Sequence, residues 1–206
     1  MKTAAYYADI SPLGDKTLFD RYFAASPEER QKKISALKRP EDRQLSLGVW
    51  ILLQRALDTS GVTMFSARFS YTPHGKPYVA EFPVKFNFSH SGGFVAVAIS
   101  DSEVGIDIEK TEPQSRRLAE RFFHPDEYAY VIKGGAAEFD CRFTEIWTRK
   151  EAYVKLLGKG IDSSFPLFSS LADIPSAKIS TFRLDDGYFL SVAGEPCSSA
   201  RELSLI

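Results

Sequence analysis

The chain has 206 residues, 44% hydrophobic and 26% charged, with a formal net charge of -1. It is long enough to bury an ordinary core as one domain or two small ones, and its charge balance excludes a wholly basic nucleic-acid surface while permitting a local basic pocket. The apolar runs at residues 49–53 and 94–99 are too short to cross a bilayer, and no signal-peptide core follows Met1, so a cytoplasmic location without membrane contact is expected.

Residues 3–10 read as a first strand, ended by the turn Ser11-Pro12-Leu13-Gly14-Asp15. Ser26-Pro27-Glu28-Glu29 has the form of a capping box and predicts a helix to about Leu37. Pro40 restarts a second helix over residues 41–58, which ends before Gly61. Short strands are expected at 65–71, 78–82, 85–89 and 94–100, connected by Thr72-Pro73-His74-Gly75-Lys76-Pro77 and Ser89-His90-Ser91-Gly92-Gly93. The second half follows a similar outline: a strand at 104–109, helices at 116–121 and 125–131, a long helix at 143–157 stopped by Gly158, and strands at 178–184 and 188–192. The order suggests two α+β halves, 1–101 and 102–206, without a residue-level repeat.

Two segments carry the chemistry. In Val104-Gly105-Ile106-Asp107-Ile108-Glu109, alternation puts both carboxylates on one face of a strand. Such a pair is either the solvent face of an edge strand or half of a cation site. In the helix from Trp147 to Lys155, Trp147, Glu151 and Lys155 fall at i, i+4 and i+8, and Lys150 lies within the apolar arc of Phe143, Ile146, Trp147, Tyr153, Val154 and Leu157. A half-buried ammonium needs an anion, unless it snorkels outward. Oxygen donors without His or Cys indicate a hard cation, and few carboxylates with phosphate partners suit magnesium. Cys141 and Cys197 stand at no metal-ligand spacing, and His74, His90 and His124 are scattered, so zinc is not expected and the cysteines read as free thiols. Ser89-His90-Ser91-Gly92-Gly93 offers amides, hydroxyls and one imidazole to a phosphate. Adjacent Ser89 and His90 would point to opposite sides of a strand, which excludes a catalytic dyad.

Taken in order, Gly75-Lys76-Pro77, Phe86-Asn87-Phe88-Ser89-His90-Ser91-Gly92, Gly105-Ile106-Asp107-Ile108-Glu109, and Trp147 through Lys155 with Gly158-Lys159-Gly160 resemble the 4'-phosphopantetheinyl transferase superfamily. The spacing fits its larger, surfactin-synthetase-activating (Sfp-like) type, and Phe122-Phe123 with Glu127-Tyr128 resemble its linker. The resemblance implies transfer of phosphopantetheine from coenzyme A to a serine of an apo acyl or peptidyl carrier protein, with release of adenosine 3',5'-bisphosphate. It also implies an α/β fold of two pseudo-twofold-related subdomains, each a small, mainly antiparallel sheet packed with helices, acting as a monomer with the site in the cleft between them.

Residue by residue, the resemblance implies that Asp107, Glu109 and Glu151 hold magnesium, that Glu151 is the base, and that Lys155 assists the leaving phosphate while Lys150 contacts the pyrophosphate. It places Gly75, Lys76 and Pro77 at the adenine and phosphate, Ser89 at the pyrophosphate, and His90 with Arg43 at the 3'-phosphate. Glu28 and Gln31 stand where some members carry basic residues; Lys32, Lys33, Lys38 or Arg39 are the candidates to compensate. Phe122 and Phe123 are either carrier contacts or core aromatics. The alternative is a coenzyme A or nucleotide-binding module that keeps the fold without turnover.

Overall fold

The computed structural model describes residues 2–62, 69–72, 76–79, 84–185 and 187–206. In chain order it runs β1 (Ala4–Asp9), α1 (Lys16–Ala24), α2 (Glu28–Ser35), α3 (Pro40–Thr59), β2 (Phe69–Tyr71), β3 (Pro77–Val79), β4 (Lys85–Ser91), β5 (Phe94–Ser100), β6 (Gly105–Lys110), α4 (Arg116–Phe122), α5 (Pro125–Lys133), α6 (Gly135–Leu156), β7 (Lys178–Arg183), β8 (Tyr188–Gly194) and β9 (Ala200–Glu202). The sheets have strand orders β4-β5-β1-β9, β2-β3 and β6-β8-β7, and every pairing is antiparallel except β1 with β9.

β5 explains how the layers stack. Val95, Val97 and Ile99 face one way, into a core with Leu45, Leu52, Ala56 and other α3 residues. Ala96 and Ala98 face the other way, with Ala5, onto Val104, Ile106, Ile108, Leu190 and Val192 of the second sheet. Strands covered on both faces read as continuous apolar runs, and alanine on the shared face lets two sheets approach closely. On the far side of the second sheet lies α6. Ser191 Oγ meets Thr148 Oγ1 there at 3.0 Å, and a Cβ on Gly105 would stand 2.0 Å from the Ala152 carbonyl oxygen and 2.4 Å from Leu156 N. The order is therefore α3, first sheet, second sheet, α6.

β6 is an edge strand, and an open edge exposes unpaired backbone groups. Side chains of β4 cover it. Asn87 Oδ1 accepts from Ile106 N at 3.0 Å, and Ser91 Oγ accepts from Lys110 N at 3.3 Å. Since Asn87, Ser89 and Ser91 share one strand face, that face stitches the two halves together.

Local expectations are corrected at several points. The Ser26 capping box does not form: Ser26 Oγ donates back to the Tyr22 carbonyl at 2.9 Å, and Pro27 stands at the N-cap of α2 without a side-chain cap. A capping box instead opens α5, made by His124 and Glu127. Helix α1 was not foreseen; Asp15 caps it by accepting from Leu18 N at 3.0 Å. At the C-terminus β9 pairs with β1, and Leu205 enters the first core. Gly75, and residues 65–68 and 80–82 of two expected strands, lie outside the described residues.

Gly105→Ala should lower stability by about 3 kcal/mol or more, because the added methyl meets helix backbone rather than a movable side chain. Chemical denaturation measures this; a loss below 1 kcal/mol would contradict the close packing of β6 on α6.

Candidate active site

The expected carboxylates meet where β4, β6 and α6 converge. Asp107 is 2% exposed on β6. Its Oδ1 accepts from Ser89 Oγ at 2.7 Å and from Lys155 Nζ at 2.6 Å, while Lys155 Nζ also donates to Ser89 Oγ at 2.9 Å. Its other oxygen, Oδ2, is buried without a hydrogen-bond partner among the described residues. Two residues along the same face, Glu109 accepts from Ser91 Oγ at 2.6 Å. Glu151 comes from α6, one turn before Lys155, and accepts no hydrogen bond among the described residues.

Three acids thus crowd around one ammonium. Burial first, then repulsion from Asp107, pushes Glu109 up from its ordinary 4.5 to about 7, against the opposing pull of Ser91 and Lys155. Burial and Asp107 likewise raise Glu151. Two raised carboxylates and an orphaned oxygen mark missing positive charge.

His90 points away from Ser89, as strand alternation requires. It lines a cavity of about 260 Å³ with Arg30, Lys33, Asp42, Ser46 and Phe88, between α2, α3 and β4. Burial, then Lys155, lowers its pKa, opposed by Asp42 and Asp107. Arg30 was missed in the sequence because it stands between the Glu28 and Gln31 positions that drew attention. Gln31 ties α1 to α2 by donating to the Ser26 carbonyl at 2.7 Å, and exposed Lys32 pairs with Glu28. Of the compensating candidates, Lys33 lines the cavity. Arg43 instead donates from Nε to the Leu37 carbonyl at 2.7 Å, bracing the turn between α2 and α3.

The loop after β4 is held by Tyr188, whose hydroxyl accepts from Gly93 N at 3.2 Å. Gly92 has φ +53, and a Cβ there would lie 2.2 Å from that hydroxyl. Lys76 crosses between the halves, donating to Glu103 at 2.8 Å and to the Val104 and Leu156 carbonyls at 3.3 Å. Its ammonium therefore braces the C-terminal end of α6. Pro77 begins β3.

Lys150 has its anion within the protein. It is completely buried and pairs with Glu127 at 2.8 Å, with the Phe168 carbonyl at 2.6 Å and the Phe168 ring 3.9 Å away. Glu127, also completely buried, further accepts from His124 N at 2.8 Å and Ser170 N at 2.6 Å. The pair pins the segment after α6 to the start of α5. Phe123 is 4% exposed and packs on Phe143, so it is a core aromatic; Phe122 lies edge-on against Trp147. Cys141 and Cys197 are free thiols.

The family model of the 4'-phosphopantetheinyl transferase superfamily matches residues 103–198, from just before β6 to just after β8. Over 182 residues the chain is 34% identical to the 4'-phosphopantetheinyl transferase psf-1 of Bacillus pumilus, covering 86% of this chain and 77% of that protein. The chain belongs to the 4'-phosphopantetheinyl transferase superfamily. It is also 30% identical over 225 residues to the 4'-phosphopantetheinyl transferase Sfp of Bacillus subtilis (strain 168), covering 100% of this chain and 97% of that one. The 4'-phosphopantetheinyl transferase AcpT of Salmonella typhimurium is 37% identical over 140 residues, 66% of this chain and 68% of its own.

In this superfamily member the donor set fits a hard cation. The orphaned Asp107 oxygen and the raised Glu109 and Glu151 supply carboxylate oxygens in need of positive charge. Among the described residues no three such side chains close on one point as a finished cage.

Since Glu109 is raised in the folded protein, its contribution to stability is present below about pH 4.5 and lost as pH rises through about 7. In metal-free protein, the stability difference between the wild type and Glu109→Gln should therefore shift against the wild type across that window. Urea midpoints at successive pH values measure it, and a flat difference would contradict the crowding. Lys150→Met should cost about 3–5 kcal/mol by leaving Glu127 buried and unpaired, with recovery on adding Glu127→Gln; a loss under 1 kcal/mol in the same assay would contradict the pairing.

Proposed function

We propose that the Asp107 cleft is the reacting centre of a magnesium-dependent transfer of phosphopantetheine from coenzyme A to a carrier-protein serine. Transfer of phosphopantetheine to carrier proteins is the activity of the superfamily, and coenzyme A is its donor. The reading rests above all on the buried Asp107 oxygen without a donor, set beside two further acids and one lysine. Magnesium held by Asp107, Glu109 and Glu151 would neutralise the pyrophosphate of coenzyme A and polarise the phosphorus under attack.

The chain's own residues supply the remaining steps. Glu151, whose carboxylate accepts no hydrogen bond among the described residues, takes the proton of the carrier serine directly or through one water. The serine oxygen bonds to the phosphorus that carries pantetheine, and the bond from that phosphorus to the bridging oxygen breaks. The electron pair leaves with adenosine 3',5'-bisphosphate. Lys155, anchored by Ser89 and Asp107, donates to the departing phosphate. Ser89 orients Lys155 and lies beside the pyrophosphate.

The nucleotide end belongs to the first half. His90 and Lys33, with Arg30, line a cavity suited to the 3'-phosphate, and Lys76 and Pro77 would border the adenine. Arg43 contributes by bracing the turn beside that cavity. The carrier approaches the second half, where Phe122 lies at the surface edge of the aromatic cluster. No helix among the described residues is long and apolar enough to cross a membrane. We read the protein as a cytoplasmic monomer, the two halves supplying one complete cleft.

With magnesium and coenzyme A, the wild type should add one phosphopantetheine mass to an apo carrier protein. Asp107→Asn should lower the rate by about 100-fold or more while the protein melts normally. Intact mass spectrometry of several carriers measures both. Coenzyme A binding without a mass shift on any carrier would point instead to a binding module, and release of the nucleotide without a carrier would point to a hydrolase.

A further inference from the structure

Strand β4 belongs to the first sheet and β6 to the second, and no backbone ladder joins them. Side chains join them instead at a constant offset: Ser89 bonds Asp107 and Ser91 bonds Glu109, each pair 18 residues apart. The two strands therefore run side by side in the same direction, with alternate serines of one facing alternate acids of the other. The two rungs are built alike. In each, a seryl hydroxyl holds one carboxylate oxygen, Oδ1 of Asp107 or Oε2 of Glu109, and the other oxygen has no donor among the described residues. They differ in what else holds them. Asp107 is also gripped by Lys155 Nζ at 2.6 Å, whereas among the described residues Ser91 is the one donor to the Glu109 carboxylate.

The Ser91 hydroxyl has its direction set. A hydroxyl carries one hydrogen and two lone pairs. One lone pair of Ser91 Oγ takes Lys110 N–H at 3.3 Å, on the residue after Glu109, and the hydrogen goes to Oε2 at 2.6 Å. Covering the edge of β6 asks only for the lone pair, as Asn87 Oδ1 shows by accepting from Ile106 N. The hydrogen is free to serve the acid. The backbone beneath is tied to the same sheet: Ser91 pairs with Phe94 across the turn, and Tyr188, opposite Lys110, accepts from Gly93 N at 3.2 Å.

We propose, on the reading of the Asp107 cleft as a magnesium site, that Ser91 is a positioning residue: its hydroxyl holds Oε2 of Glu109 so that Oε1 faces the cation. Without that bond the Glu109 side chain would keep its torsional freedom until the ion arrived, and ordering it would weaken binding. Groups that orient a metal ligand commonly contribute about 10-fold or more to affinity. The same strand reaches the nucleotide cavity through His90, so β4 aligns a cation ligand with one face and the donor's far end with the other.

The test is calorimetric titration of magnesium into protein saturated with coenzyme A. Ser91→Thr should match the wild type within about threefold, while Ser91→Ala and Ser91→Val should bind magnesium about 10-fold more weakly. Valine has the shape of threonine without its hydroxyl, so that pair separates the hydrogen bond from packing, and either hydroxyl-free variant suffices if its melt shows it folded. Coenzyme A binding in chelator should be the same in all, because Ser91 does not line the nucleotide cavity. Undiminished magnesium affinity in folded Ser91→Ala or Ser91→Val, or an equal loss of coenzyme A affinity in chelator, would overturn the role of Ser91 and leave magnesium in the cleft. Failure of the wild type to bind magnesium would overturn the reading of the cleft, and this role with it.

Discussion

Asp107 is a carboxylate buried between two sheets and a helix, and the rest of the molecule is arranged around that fact. One of its oxygens is held by a serine and a lysine, and the other has no donor among the described residues. Burying a carboxylate this way is costly unless a counter-charge is present, and two more acids nearby raise the cost. Functional sites commonly carry such a cost to stability.

The fold supplies that arrangement through strand alternation. On β4, Phe86 is buried in the first core while Asn87, Ser89 and Ser91 project onto the open edge of β6. One strand therefore builds the core, covers an edge and positions the site. His90, on the opposite side of Ser89, reaches the basic cavity beside α3. A single strand thus separates the two ends at which a nucleotide diphosphate of this length would be held. The glycine at 105 permits β6 to lie directly on α6, which brings Asp107 within reach of Lys155.

Periodicity made much of this readable. The alternation in Gly105–Lys110 and the helical row leading to Lys155 each depend on neighbours in sequence, so local pattern suffices to place Asp107, Glu109, Glu151 and Lys155 on their elements. Lys150 was recognisable as an ammonium needing an anion, but its partner lies 23 residues away on another helix, where no spacing rule reaches. Ser26 satisfied a capping pattern and lost to competition, because its hydroxyl closes α1 instead of opening α2. α1 itself carried a weaker signal, a lone Asp15 cap after a proline-containing turn. Arg30 and Lys33 enter the cavity only because α2 packs against α3, a tertiary outcome that the charges on one helix do not encode.

The central claim is that the three carboxylates and the nucleotide cavity form one site completed by a divalent cation. Calorimetric titration of coenzyme A against the protein, with and without magnesium, tests it most directly, together with the reverse titration of magnesium with and without coenzyme A. The account predicts that each ligand tightens binding of the other by the same factor, about 10-fold or more, and that Asp107→Asn removes the coupling. Coenzyme A binding of equal strength in magnesium and in chelator would contradict it.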